Sequence, residues 1–185
     1  YYLNAWDTRT RGVDLVGRQQ LKFAGGTLDL LAAASFLETE VERLNPFTTI
    51  GASPVIGASR VRDAETGIPE TKYILNGRYS YGAWSVDLTG TYYDSYTYNV
   101  GEIPGLATAN GNIDQEFSPE TYIDLGFDYE LLQGLRLNLL VQNVFNKYPE
   151  KYVNGNRSSG INPYSFIAPN GAAGRFIQGG VTYSF

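Results

Sequence analysis

A strict two-residue alternation of apolar and polar side chains constrains this chain most, and it continues to the last residue. In the final segment, residues 174–185, Val181, Tyr183 and Phe185 fall on one side, opposite Thr182 and Ser184. Successive side chains of a β-strand point to opposite faces, so this pattern predicts a strand with one apolar and one polar face. An exposed terminal strand of this kind would promote aggregation. We therefore expect its edge to be hydrogen-bonded to another strand.

Six earlier segments alternate in the same way. They cover roughly residues 10–23, 27–41, 70–81, 83–98, 120–130 and 135–146. Each is about as long as the roughly 9 to 11 residues that a tilted membrane-spanning strand needs. The 15 Tyr and 21 Gly residues suit strands and tight turns. The sequence therefore predicts an all-β fold with seven long strands.

The connections between these segments alternate between short and long. Short turns are predicted near Gly25–Gly26, Gly82 and Gln133–Gly134, whereas the other three connections are long and rich in Gly, Pro, Asn and Ser. Outer-membrane barrels have short periplasmic turns and long extracellular loops. A soluble β-sandwich or a non-membrane barrel is the alternative, but it gives no reason for this asymmetry. We therefore predict part of a transmembrane antiparallel β-barrel in the outer membrane of a Gram-negative bacterium.

Charged and aromatic residues agree with this prediction. A cation facing lipid at mid-bilayer costs about 2 to 4 kcal/mol, and Arg18, Lys72, Arg78 and Arg136 all fall on the polar face. Aromatic residues collect at two levels, as in the girdles of membrane barrels. The predicted girdle residues are Phe23, Tyr79, Tyr81, Trp84, Tyr129 and Tyr183 near the turns, and Tyr92, Tyr96, Phe145 and Tyr148 near the loops. Asn143 and Arg175 fall on the apolar face and do not fit the pattern.

Composition excludes several classes of protein. The absence of Cys and His removes disulfide scaffolds and the usual transition-metal ligands, so no cofactor or metal site is predicted. A formal net charge of −5 does not suit a nucleic-acid-binding face. Even with Ser35 included, the longest apolar stretch, residues 30–37, is far shorter than the roughly 20 residues of a spanning helix.

Catalysis is also not expected. Without His, this chain cannot supply a Ser-His pair. Asp124 and Asp128 share a face, but four strand residues separate them by about 13 Å, too far for a shared proton. We therefore predict that the protein is not an enzyme.

Three segments resemble one family. Residues 139–152, Leu-Leu-Val-Gln-Asn-Val-Phe-Asn-Lys-Tyr-Pro-Glu-Lys-Tyr, are similar to the penultimate-strand signature of TonB-dependent outer-membrane receptors. Residues 11–15, Arg-Gly-Val-Asp-Leu, resemble a segment that the same family carries several strands earlier. Residues 174–185 resemble the closing strand. The three segments lie in the family's order.

The resemblance implies that residues 1–185 are the C-terminal portion, the last seven strands, of a barrel of about 22 strands. It also implies a plug domain and a TonB-contacting segment that are absent from these residues. The implied partners are outer-membrane lipid, the missing plug and barrel strands, TonB through the missing part, and the barrel-assembly machinery. That machinery would read the terminal aromatic strand, with Tyr183 and Phe185 as the assembly signal.

The implied function is TonB-coupled import of a bulky, scarce nutrient, with a ferric siderophore as the default ligand. An oligosaccharide, cobalamin and passive diffusion through a porin are the alternatives. The predicted ligand-binding residues are loop aromatics and one cation, namely Tyr98, Tyr152, Arg157, Tyr164 and Phe166. Girdle or solvated-loop roles are the alternative for loop residues. Charged polar-face residues are expected to pair with one another or with the plug, namely Arg18, Arg78, Arg136, Asp124 and Asp128.

The assignment of faces predicts how arginine substitutions behave. Leu137→Arg or Leu125→Arg should block stable assembly, because the cation would face lipid at a cost of about 2 to 4 kcal/mol. Asn138→Arg should be milder, because residue 138 lies on the opposite face. The measurement is the amount of folded, heat-modifiable protein in the membrane. Equal tolerance of all three substitutions would mean that the faces are assigned wrongly.

Overall fold

The computed structural model describes residues 6–44, 49–50, 53–54, 58–99, 114–152, 163–165 and 167–184. Eleven strands and one helix lie within these residues. In chain order they are β1 Trp6–Phe23, β2 Gly26–Leu44, β3 Thr49–Ile50, β4 Ser53–Pro54, α1 Ala58–Thr66, β5 Thr71–Tyr81, β6 Trp84–Tyr93, β7 Tyr96–Asn99, β8 Asp114–Phe117, β9 Glu120–Leu132, β10 Leu135–Gln142 and β11 Phe176–Tyr183.

Within the described residues, seven strands form one antiparallel sheet in the order β1-β2-β5-β6-β9-β10-β11. Each strand pairs with the next long strand along the chain, so the sheet is a meander. Two small two-stranded sheets, β3-β4 and β7-β8, lie in the long connections. The predicted all-β antiparallel fold is confirmed, including its seven long strands.

The strand register gives the sheet two chemically different faces. One register row crosses all seven strands and is apolar apart from a final glycine: Leu21, Leu28, Tyr79, Val86, Phe127, Leu139 and Gly179. The adjacent row is mostly polar: Gln20, Asp29, Arg78, Asp87, Gly126, Leu140 and Gln178. We call the sides of the sheet that carry these rows the apolar face and the polar face.

The apolar face is uncovered in the structure. Leu75 is 63% exposed and Val181 is 70% exposed. Contiguous apolar surface on this scale marks a protein or membrane contact in native proteins. The sheet therefore needs an apolar medium or partner along this face.

The polar face is held together by side-chain hydrogen bonds. Arg78 donates to Asp128 at 3.0 Å and to Ser85 at 2.9 Å. Asn76 donates to Asp87 at 2.9 Å. These bonds link β5, β6 and β9, and among the charged residues expected to pair on this face Arg78 and Asp128 do so.

Tight turns join the strand pairs at one end of the sheet, which we call the turn end. Ala24 and Gly25, with φ of 47° and 81°, connect β1 to β2. Positive φ at both residues is the requirement of a type I′ hairpin turn, which matches the twist of the strands. The other two turns contain Gly82 and Gly134. The long connections, residues 45–70, 94–119 and 143–175, all leave from the opposite end, which we call the loop end.

The fourth predicted strand is shorter than expected. It ends at Tyr93 rather than Tyr98. The Asp94 carboxylate accepts a hydrogen bond from the Ser95 amide at 2.8 Å, and such local bonds compete with the strand ladder. Residues after Ser95 then leave the main sheet and form β7.

The predicted sixth strand also ends early, at Gln142 instead of Asn146, and this corrects the position of Asn143. Asn143 has a φ of 51° and is buried. Its side chain donates to the Lys147 carbonyl at 2.7 Å and accepts from the Lys147 amide at 2.9 Å. Its own amide donates to Asp124 at 2.7 Å. Asn143 is therefore the centre of a turn and not an apolar-face residue.

Two substitutions at Asn143 separate its hydrogen bonds from its backbone conformation. Asn143→Gly loses two side-chain bonds, about 2 kcal/mol, but tolerates positive φ. Asn143→Ala loses the same bonds and adds backbone strain, so it should cost about 1 kcal/mol more. Hydrogen exchange of residues 143–148 measures the loss. Equal exchange in both variants would contradict the role of the backbone.

Candidate functional site

The most buried side chains lie at the loop end. Phe117 of β8 is fully buried, and its ring stacks on Tyr96 of β7 with centroids 4.7 Å apart and planes at 9°. Tyr152 packs edge-on against Phe117 at 5.7 Å. Ser165, also buried, accepts a hydrogen bond from the Tyr152 hydroxyl at 3.3 Å. We call these four residues the loop core.

Hydrogen bonds that involve backbone groups link the segments around the loop core. The Gln115 side chain donates to the Lys151 carbonyl at 2.8 Å, and the Ser118 amide donates to the Glu150 carboxylate at 3.1 Å. The Tyr152 amide donates to the Pro163 carbonyl at 3.0 Å. The segments before β9 and after β10 are thus tied to each other at the loop end.

Tyr96 corrects a prediction. It was expected in an aromatic girdle, but it is only 3% exposed and belongs to the loop core. Burial raises the pKa of its phenol to about 12, and a weak interaction with Ser165 opposes this only in part. The hydroxyl makes no hydrogen bond of standard geometry within the described residues. Packing against Phe117 therefore decides the position of Tyr96.

Helix α1 lies over the loop end of β2. Its Glu65 carboxylate accepts from the Val41 amide at 2.9 Å, and Thr66 donates to the Thr97 carbonyl at 3.1 Å. Arg62 forms an ion pair with Asp114 at 3.5 Å. These contacts join α1 to β2, β7 and β8. The helix has nine residues, and no helix of the described residues is long and apolar enough to cross a bilayer.

A cavity of about 460 Å³ lies between α1, the sheet and the segment after Ser165. Ser35, Lys72 and Tyr93 form one register row of the polar face and make its floor. Ile68, Tyr98 and other residues from the connections complete the wall. The remaining lining residues are Leu37, Asp63, Gly67, Pro69, Glu70, Ile167 and Pro169. The volume lies in the usual range of small-molecule sites, roughly 300 to 1,000 Å³.

The cavity combines apolar walls with a few charges. The Lys72 ammonium lies 5.1 Å from the centre of the Tyr93 ring. Burial raises the pKa of Tyr98, and the nearby Asp63 carboxylate raises it further. The Tyr98 hydroxyl therefore stays protonated and can take part in hydrogen bonds at neutral pH.

The predicted ligand-binding residues are distributed over different environments. Tyr98 lines the cavity, whereas half-buried Tyr152 packs in the loop core. Tyr164 stacks on Tyr148 with centroids 5.4 Å apart. Arg157 and Phe166, and Phe185 of the predicted assembly signal, lie outside the described residues. Tyr183 is on the apolar face of β11 and opposes Leu135.

Sequence reasoning missed Lys72 and Tyr93 as cavity residues. Lys72 was assigned to the polar face, and the signal that could have singled it out is its position at the loop end of that face. The described residues contain no group of three or more Asp, Glu, Cys or His placed to hold a metal ion.

No known family model and no curated protein matches the sequence. Among solved structures, the chain is similar to the FrpB iron transporter from Neisseria meningitidis, F3-3 variant. The TM-score is 0.62 at 17% identity, over 99% of this chain and 24% of the transporter chain. This chain thus spans about a quarter of that protein's length. The match confirms the predicted antiparallel β-sheet fold, which is similar to part of that iron transporter.

Phe117→Ala tests whether the loop core holds the loop end together. Removing a fully buried Phe costs about 3 to 5 kcal/mol, so hydrogen exchange should accelerate in residues 147–152 as well as around β8. Phe145→Ala is the matched control, because Phe145 is 75% exposed and should change little. Acceleration confined to β8 would contradict the coupling.

Proposed function

We propose that this chain forms part of the wall of an outer-membrane transporter that imports a bulky nutrient with TonB-coupled energy. A ferric siderophore is the proposed ligand. Similarity in fold to an iron transporter supports the proposal, and so do the three family-like segments of the sequence. The observation that carries it is the band of apolar residues on one face of the sheet, which ends at a level of charged residues at the loop end of β1 and β2.

The loop-end border of this band is visible on β1 and β2. Val13 and Phe36 face each other in register, and two positions further on the same face Arg11 lies opposite Glu38. Arg11 contacts the carboxylates of Glu38 and Glu40 at 4.0 and 3.7 Å. Charges replace apolar side chains at one level, as they would at a membrane surface.

The height of the band agrees with a bilayer. From Phe23 at the turn end to Val13 the strand covers roughly 34 Å at about 3.4 Å per residue. With a strand tilt of about 40°, this gives roughly 26 Å, close to the apolar band of about 25 Å in outer-membrane barrels.

Aromatic contacts mark both borders. At the turn end, Tyr79 packs against Phe23 and Trp84 with centroids 6.2 and 5.6 Å apart. At the loop end, Tyr73 packs against Phe36 at 5.9 Å and stacks on Tyr92 at 5.6 Å. Rings of this kind favour the membrane–water interface, where one part of the side chain is apolar and the other is wet.

The sheet edges support a larger barrel. In the described part of the chain, β1 and β11 each pair with one strand. An unpaired edge is costly in lipid because its backbone groups find no water. We place residues 1–185 at the C-terminal portion of a barrel whose other strands cover these edges. Its plug, its TonB contact and the recognition of Tyr183 and Phe185 by the assembly machinery belong to the same proposal.

In this arrangement the turn end faces the periplasm and the loop end faces the exterior. The cavity below α1 then lies at the end of the sheet from which a nutrient arrives, and Tyr98 contributes to its wall. Tyr152, Arg157, Tyr164 and Phe166 remain proposed ligand contacts in the neighbouring loops.

Deletion of the gene tests this function. The deletion strain should grow poorly under iron limitation with ferric siderophores as the iron source, and it should lose most energy-dependent uptake of radiolabelled iron. Complementation should restore uptake only in cells with an intact TonB system. Growth on defined glycans and cobalamin serves as the control. An unchanged iron phenotype would overturn the proposed ligand, and uptake without TonB would indicate a porin.

A further inference from the structure

We infer that the cavity below α1 binds a flat organic anion of one or two rings, or such a group on a larger ligand, with Lys72 holding the acidic group. The inference rests on the proposed function for the direction of ligand entry. It adds a chemical class and a charge-bearing residue to the site.

The position of Lys72 is determined by the sheet. The residue lies on the polar face of β5, between Ser35 of β2 and Tyr93 of β6 in the same register row. All three belong to the long antiparallel sheet, so the backbone hydrogen bonds of the sheet hold the floor of the cavity. Lys72 is therefore presented from a fixed strand and not from a loop.

Lys72 is available for a ligand. Its ammonium lies over the Tyr93 ring at 5.1 Å, and it forms no ion pair with a carboxylate of the described residues. A cation–π contact leaves ammonium N–H groups free to donate. Among the residues that line the cavity, all of which are described, Lys72 is the one cation.

The walls suit a ring. Leu37, Ile68 and Ile167 provide apolar contacts, and Tyr93 and Tyr98 provide aromatic faces. Aromatic rings pack favourably on such faces in offset or edge-on geometry. At about 460 Å³, the cavity holds a small molecule, so a bulky nutrient would place only one arm in it.

Two carboxylates also line the cavity, and they favour a different class of ligand. Glu70 is exposed, and Asp63 lies close enough to Tyr98 to raise its pKa. A site governed by these two groups would prefer an organic cation. The charge preference of the cavity is therefore the property to measure.

Three naphthalene ligands of similar shape and different charge measure the charge preference of the cavity. Isothermal titration calorimetry of the full-length protein in detergent would compare 1-naphthoate, neutral 1-naphthamide and cationic 1-naphthylmethylammonium. We expect 1-naphthoate to bind tightest. Lys72→Met should weaken 1-naphthoate about ten- to a hundredfold, the effect of losing a hydrogen bond to a charged group. The same variant should leave 1-naphthamide almost unchanged, and Lys72→Arg should retain most of the preference for the acid.

Lys22→Met is the matched control, because Lys22 lies on the polar face at the turn end, where its side chain donates to Thr27. It removes the same charge and should change none of the three affinities. Ile68→Trp should fill the cavity and abolish binding of 1-naphthoate and 1-naphthamide, with an unchanged melting temperature as the folding check.

Tighter binding of the amine, or 1-naphthoate affinity that survives Lys72→Met, would overturn the inference. Iron uptake by the same variants separates the two proposals. If the protein takes up iron normally but does not bind 1-naphthoate, the anion site is rejected and the proposed transport is not. If it binds 1-naphthoate through Lys72 but no strain takes up iron, the proposed transport is rejected and the anion site is not.

Discussion

The main sheet depends on the register of its backbone hydrogen bonds, which within the described residues shifts only between Asp7 and Thr8 of β1 and between Leu135 and Arg136 of β10. Because strand side chains alternate with a period of two, a shift of one residue in any strand would move its apolar side chains to the other face. The row from Leu21 to Gly179 shows that no such shift occurs across the seven strands at this level. The apolar band, the aromatic borders and the polar hydrogen-bond network all follow from this alignment.

The same register forms the floor of the cavity below α1. Ser35, Lys72 and Tyr93 lie side by side because their strands are aligned, and they become the floor on which the connections rest. Residues of the connections form the other walls, and hydrogen bonds hold α1 against β2 and β7 beside them. The cavity thus combines a floor from the sheet, which carries Lys72, with walls from the connections.

The sequence predicted the parts that depend on local periodicity. The long strands, their two faces and the tight turns could be read from alternation and glycine positions, since neighbouring residues determine them. Tyr92 and Tyr96 show the limit of prediction from periodicity. Both have the spacing of girdle residues, but Tyr96 stacks on Phe117, a residue 21 positions later in the chain. Helix α1, the turn at Asn143 and the cavity likewise depend on residues that are distant in the chain; Lys72 and Ile167, for example, line the same cavity. Periodicity carries no information about such contacts.

The central claim is that one face of the sheet contacts lipid and the other does not. Spin labels placed one at a time along residues 84–93 of β6 test it directly, and the absence of Cys from this chain simplifies the labelling. In the membrane-embedded full-length protein, collisions with lipid-soluble oxygen should be frequent at Trp84, Val86 and Leu88. They should be rare at Ser85, Asp87 and Thr89. Equal oxygen access at even and odd positions would contradict the account.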